Sequence, residues 1–90
     1  MKFEFDPLKY QKTLQERGLD MARVREVFAG NTLTNSDGRK AYGELRKITV
    51  GYLDSRMVVV VWTERRDVYR IISLRKANER EQKLYGDRMA

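Results

Sequence analysis

The chain contains neither cysteine nor histidine, and only one proline and one tryptophan, in 90 residues. Without cysteine there can be no disulfide or thiolate metal site, and without histidine the common nucleophile–base triads and most transition-metal sites lack their residues. No apolar run approaches the roughly 18 residues of a membrane span, so no membrane partner is expected. The opening MKFEFDP has neither the basic nor the apolar region of an export signal, which makes a cytoplasmic location the expectation. Glycine-rich phosphate loops, dinucleotide fingerprints and calcium loops are also missing. These absences argue against a bound metal or cofactor, and the expectation is that there is none.

What the chain does have is positive charge. Its formal net charge is +6, with a pI near 9.8. Residues 65–90 carry +4 of it, and 1–30 and 31–64 carry +1 each. An excess of cations gathered in one third of a small chain points to a polyanion or an acidic protein as partner. Ninety residues suit one compact domain, 1–90, with a single core.

Local patterns predict an α+β domain: a short N-terminal strand, two helices, an antiparallel meander and a C-terminal helix. Phe3 and Phe5 alternate with Glu4 as a strand would. Asp6 and Pro7 are suited to a helix N-cap and first position, with Phe5 and Tyr10 spaced as a hydrophobic staple, and Gly18 closes the helix. Leu19, Asp20 and Val24 repeat that pattern, so a second helix is expected to end at Gly30. Residues 31–43 are rich in turn-formers and read as a loop, with at most a short strand at 32–34. Ile48, Val50 and Tyr52 alternate with Lys47 and Thr49, MVVVVWTE has the composition of a central strand covered on both faces, and a third strand spans 68–74. Asn78 with Glu81 forms a capping box for a last helix carrying Leu84, Tyr85 and Met89.

Chemistry must then come from carboxylates, guanidiniums, lysines and rings. Strand parity sets Arg70 on the face of Val68, Ile72 and Leu74, where a cation requires a partner or a cleft. Glu64 or Glu44 could pair with it structurally; alternatively it is a phosphate ligand. Arg75 and Lys76 lie where strand gives way to helix, beside the amides of residues 78–80, and could form a cationic corner. Tyr42, Tyr52, Trp62, Tyr69 and Tyr85 interleave with the basic residues, a composition compatible with stacking on single-stranded RNA, although Trp62 and Tyr52 are more often core residues and Tyr85, beside Leu84, is placed to pack in part.

The stretches FEFDPLKYQKTLQERG, VFAGN and GELRKITVGYLDSRMVVVVWTERRDVYRIISLRKANEREQKLY resemble BrnT-type toxins of bacterial type II toxin–antitoxin systems. RIISLRKANEREQKLY is the most specific part. The resemblance implies a RelE-like fold, metal-independent RNA cleavage and growth arrest. It also implies a ribbon-helix-helix antitoxin as partner, with operator DNA contacted only through that antitoxin. The matching positions are Glu44, Arg46, Thr63, Glu64, Arg70, Ser73, Arg75, Lys76, Glu81 and Tyr85. Where the family usually closes its first helix with Lys-His-Gly, this chain has Glu16, Arg17 and Gly18, so a cation that cannot serve as a base replaces the histidine.

The expected catalytic set is Glu44 or Glu64 as base, Arg70 and Arg75 on the phosphate, Lys76 as a cation or acid, and Tyr85 as a hydrogen-bond donor. Arg46, Trp62, Tyr69 and Arg80 are expected to bind RNA. A non-catalytic RNA-binding or protein-interaction module with a basic face is the alternative.

Overall fold

A computed structural model describes residues 2–41 and 43–89, with residues 40 and 41 described by backbone alone. Tyr42 lies outside the described residues. Elements run β1 (Lys2–Phe5), α1 (Pro7–Arg17), α2 (Val24–Ala29), β2 (Leu33–Ala41), β3 (Glu44–Leu53), β4 (Arg56–Arg65), β5 (Val68–Lys76) and α3 (Glu79–Met89). The α+β class holds. The expected three-stranded meander is part of a larger mixed sheet of five strands in the order β1-β5-β4-β3-β2, in which β1 runs parallel to β5.

Local chemistry explains the start of the chain. Asp6 Oδ1 accepts from Leu8 N at 2.8 Å, Phe5 and Tyr10 stack with centroids 5.2 Å apart, and Gly18 takes a φ of 67°. The second helical segment is not continuous. A 3-10 turn, Met21–Arg23, precedes α2, with Asp20 accepting from Ala22 N at 2.9 Å. Three residues per turn align Met21 with Val24, and both are buried against the sheet.

The largest departure is β2. The turn-forming residues of 31–43 make a nine-residue edge strand paired with β3, and its register shifts between Ser36 and Lys40. Gly38 has a φ of 77°, and Asp37 Oδ1 accepts from Arg39 N at 2.8 Å. Glycine and Asx chemistry therefore produce a bulge within a strand. The β3–β4 and β4–β5 connections are two-residue turns, Asp54–Ser55 and Arg66–Asp67, with positive φ at every position, as the twist of tight hairpins favours.

β4 is the middle strand and is covered on both faces, as its composition predicts. Val58, Val60 and Trp62 join Ile71, Leu74 and the α2 residues Val24 and Val27 on one face. Met57 and Val59 join Val50, Ala77 and Met89 of α3 on the other. Gly51 lets α2 approach closely: a Cβ there would lie 2.6 Å from Val27 Cγ1. Helix α3 covers only part of its face, and the uncovered part is polar.

Candidate active site

A bulge in β5 creates that polar patch. Val61 pairs with Ser73 but Trp62 pairs with Ile71, so Ile72 is an extra residue. It shifts the alternation, and this corrects the expected parity. Leu74 turns into the α2-side core, whereas Arg70, Ser73 and Arg75 share the α3 face. Glu4 stands beside Arg70 in the parallel register, and Thr63 stands opposite it. Alternation from Ile48, paired with Val61, brings Arg46 and Glu44 to the same face.

The contacts within the patch are ionic. Arg70 Nη1 lies 3.0 Å from Glu4 Oε1, so its carboxylate partner is Glu4 and neither Glu64 nor Glu44. Arg46 Nε lies 3.2 Å from Asp37 Oδ2, brought there by the β2 bulge, and Glu44 Oε1 lies 3.4 Å from Arg65 Nε. Asp37 Oδ2, Glu44 Oε2, Arg46 Nε and Thr63 Oγ1 are all buried without a hydrogen bond among the described residues. Asp37 and Arg46 are thus close enough for attraction but not aligned for a hydrogen bond. An unsatisfied buried polar atom costs about 1–3 kcal/mol, and all four stand on or against this face.

Helix α1 completes the site. β1 pairs with β5 only as far as Ile71, which leaves the edge of β5 open from Ile72 onward. Arg17 Nη1 donates to Leu74 O at 2.8 Å there, and α1 lies along the gap. A cleft of about 350 Å³ results, lined by Lys9, Lys12, Thr13, Arg17, Arg46 and Ser73 among others. Arg17 thus joins helix to strand.

Several expected residues lie elsewhere. Glu64 pairs across from Tyr69 on the α2-side face, 3.6 Å from Lys47, and meets Glu44 only along an open cleft at the end of the sheet, away from Arg70 and Ser73. Trp62 is only 4 % exposed, stacks on Tyr69 with centroids 4.2 Å apart and donates from Nε1 to Thr49 Oγ1 at 2.8 Å. Tyr69 also packs against Phe3 and Phe28. Trp62 is thus part of the core, and Tyr69 packs against that core while only partly buried. Tyr85 packs against the α3-side core, and Arg80 is exposed on α3.

Arg75 makes two bonds to Glu81, at 2.7 and 2.8 Å, and Glu81 also accepts from Asn78 N while Asn78 Oδ1 accepts from Glu81 N. The capping box is therefore fused to a salt bridge, and the expected cationic corner is neutralised at Arg75. The paired guanidinium holds the Glu81 carboxyl down at about 2, the Asn78 amide adding to the effect against the opposing cost of burial. Lys76 lies apart from the patch, in a cleft with Tyr52 and Gln82. Asp37, Glu4, Lys9 and Lys12 are the site-lining residues that sequence reasoning missed. Only Glu4 left a trace, as the residue opposed to Phe3 and Phe5.

Residues 5–81 match the sequence model of a family described as the ribonuclease toxin BrnT of type II toxin–antitoxin systems. The chain belongs to this family. No curated protein matches it. Membership of the BrnT family brings an antitoxin partner and a ribonuclease activity, and the family match covers the α1 cleft and the polar patch apart from Glu4. No helix among the described residues is long and apolar enough to cross a membrane.

Proposed function

We propose that this BrnT-family chain is a metal-independent endoribonuclease that cuts RNA at the polar patch between α1 and the uncovered half of the sheet, and that a ribbon-helix-helix antitoxin silences it. The observation that carries the site assignment is the convergence of Arg46, Arg70 and Ser73 with the buried, unsatisfied oxygens of Glu44 and Thr63 beside a lysine-lined cleft. A RelE-like scaffold is compatible with helices on both faces of this sheet.

Cleavage without a metal needs the 2′-OH in line with the scissile phosphate, a base for its proton, cations for the phosphorane and a proton for the leaving 5′-oxygen. Glu44 takes the 2′-OH proton as the 2′-oxygen attacks phosphorus. Arg46 and Arg70 carry the developing charge once RNA draws them from Asp37 and Glu4. Arginine cannot release a proton, so the leaving oxygen is protonated by the ammonium of Lys9 or Lys12 across the cleft. Ser73 orients the phosphate, since no histidine activates it as a nucleophile. Arg75 and Glu81 brace the strand-to-helix junction, and Tyr85 supports α3.

The products are a 2′,3′-cyclic phosphate and a 5′-hydroxyl. Mass spectrometry of a cut oligoribonucleotide should show both, with cleavage surviving EDTA and failing at a single 2′-deoxy position. Cleavage at that deoxy position, or complete loss in EDTA, would overturn the mechanism. Coexpression with the neighbouring reading frame should yield a stable complex, and recovery of free toxin alone would count against the antitoxin.

A further inference from the structure

A second cleft, of about 590 Å³, opens between the β3–β4 hairpin and α3, where Tyr52, Arg56, Lys76, Gln82 and Gly86 line it. It shares none of its lining with the α1 cleft. Its charge is positive in effect. Arg56 pairs with Leu53 and Lys76 with Val58, so both cations reach the cleft from the α2-side face at the end of the sheet; their side chains are exposed, with no salt bridge or hydrogen bond among the described residues. Asp54, the one acid on the rim, is held by Arg23 through two bonds of 2.7 Å.

Gly86 lines the cleft from α3. It sits inside α3, where glycine weakens a helix, and its φ lies outside the left-handed region. A Cβ built there would meet nothing within 4 Å. Neither backbone conformation nor packing within the chain requires glycine at this position. Tyr52 is the exposed ring on the rim, at 37 %. Gln82 Nε2 donates to Ala77 O at 3.1 Å, which fixes the carboxamide and leaves its oxygen free to accept.

We propose that this cleft is a second nucleotide site for the RNA strand, with Arg56 and Lys76 on a phosphate, Tyr52 stacked on the base and the Gln82 carboxamide on the base edge. Two unpaired cations beside an exposed ring and a fixed amide match the three chemistries of one nucleotide. The proposal rests on RNA being the substrate, and it gives Lys76 a binding role away from the reacting phosphate. Such a site would hold the strand at one end while the α1 cleft holds the scissile link.

The test separates binding from cleavage by using a fluorescein-labelled, 2′-O-methylated 12-mer, which lacks the attacking hydroxyl. Fluorescence anisotropy should show binding that weakens about tenfold in Arg56→Ala/Lys76→Ala, with a smaller salt slope. Tyr52→Ala should weaken it several-fold, and Tyr52→Phe should restore it. Gly86→Ala should move two readouts in opposite directions, raising Tm while weakening binding. Equal affinity across these variants, or no binding by the native chain, would overturn the second site. So would binding of an acidic peptide in the cleft to the exclusion of the oligonucleotide. Loss of the ribonuclease reading alone would appear as intact binding with no cut of the unmodified 12-mer.

Discussion

Asp37 holds the position on Arg46 that a phosphate oxygen needs, at 3.2 Å from Nε and with its side chain only 6 % exposed. In the proposed site a phosphate that reaches Arg46 displaces that carboxylate, so on this reading the pair restrains binding. Asp37→Asn keeps the side-chain oxygen that accepts from Arg39 N and removes the charge. It should therefore lower KM for RNA several-fold with little loss of Tm; an unchanged or raised KM would show that Asp37 helps binding. Arg46→Ala removes the cation itself and should reduce kcat by about 10²–10³, the usual loss for one donor to a developing negative charge. A near-native kcat would remove Arg46 from the site. The chain's lack of histidine bears on the same reaction. The rate profile should lack paired limbs flanking pH ~6.5, where an ordinary imidazole titrates.

The joint between β5 and α3 shows how one element is fastened to another. Glu81 is held at about 2, below its ordinary 4.5, chiefly by its bonds from Arg75. A carboxyl depressed on folding stabilises fully above its unfolded value and loses that contribution as pH falls toward the folded one. Solvent around the 40 % exposed Arg75 side chain screens the pair, so the loss between pH 5 and 2 should be about 1–2 kcal/mol. Glu81→Gln keeps a capping-box side chain without the charge, and its urea midpoint should vary less over that interval. Equal pH dependence in both proteins would place the stabilisation elsewhere. The contact between α2 and β3 is set by volume. Gly51→Ala drives a Cβ to 2.6 Å from Val27, and should cost about 1–3 kcal/mol by denaturant titration.

These elements also show what could be read in advance. Asp6, Gly18, Asp20 and the Asn78–Glu81 box act within a turn of chain, so local spacing revealed them. So did the apolar run of β4, because both its faces are buried. The bulge at Ile72 is set by how β5 pairs with β4, and one extra residue moved Leu74 into the α2-side core and Ser73 to the α3 face. Turn-formers in β2 concealed a strand because its pairing with β3 outweighs propensity. Arg70 was legible as a cation in need of a partner, but its carboxylate came from Glu4, 66 positions away. Trp62 and Tyr69 have the composition of an RNA platform, and only tertiary packing reveals that they face each other.

At the scale of the whole molecule, folding redistributes the charge. Three of the eight cations of residues 65–90 are held in ion pairs: Arg65 with Glu44, Arg70 with Glu4 and Arg75 with Glu81. Lys9, Lys12 and Arg17, from the chain segment with little net charge, line the α1 cleft, with Glu16 beside Lys12 at 3.9 Å. RNA should therefore be attracted to a face that net charge by segment does not identify. Single-stranded RNA releases counterions in proportion to the phosphates contacted, with a slope of about −0.7 per phosphate in a plot of log affinity against log salt. Three to four contacts on the α1 cleft predict a slope of roughly −2 to −3 for kcat/KM. Lys9→Ala/Lys12→Ala should flatten it by about 1.4, whereas Lys83→Ala, on exposed α3, should leave it unchanged. Steady-state cleavage of a short oligoribonucleotide from 50 to 200 mM salt measures this. An unchanged slope in the double variant, or equal flattening by Lys83→Ala, would mean that RNA follows diffuse charge and that the α1 cleft is not its path.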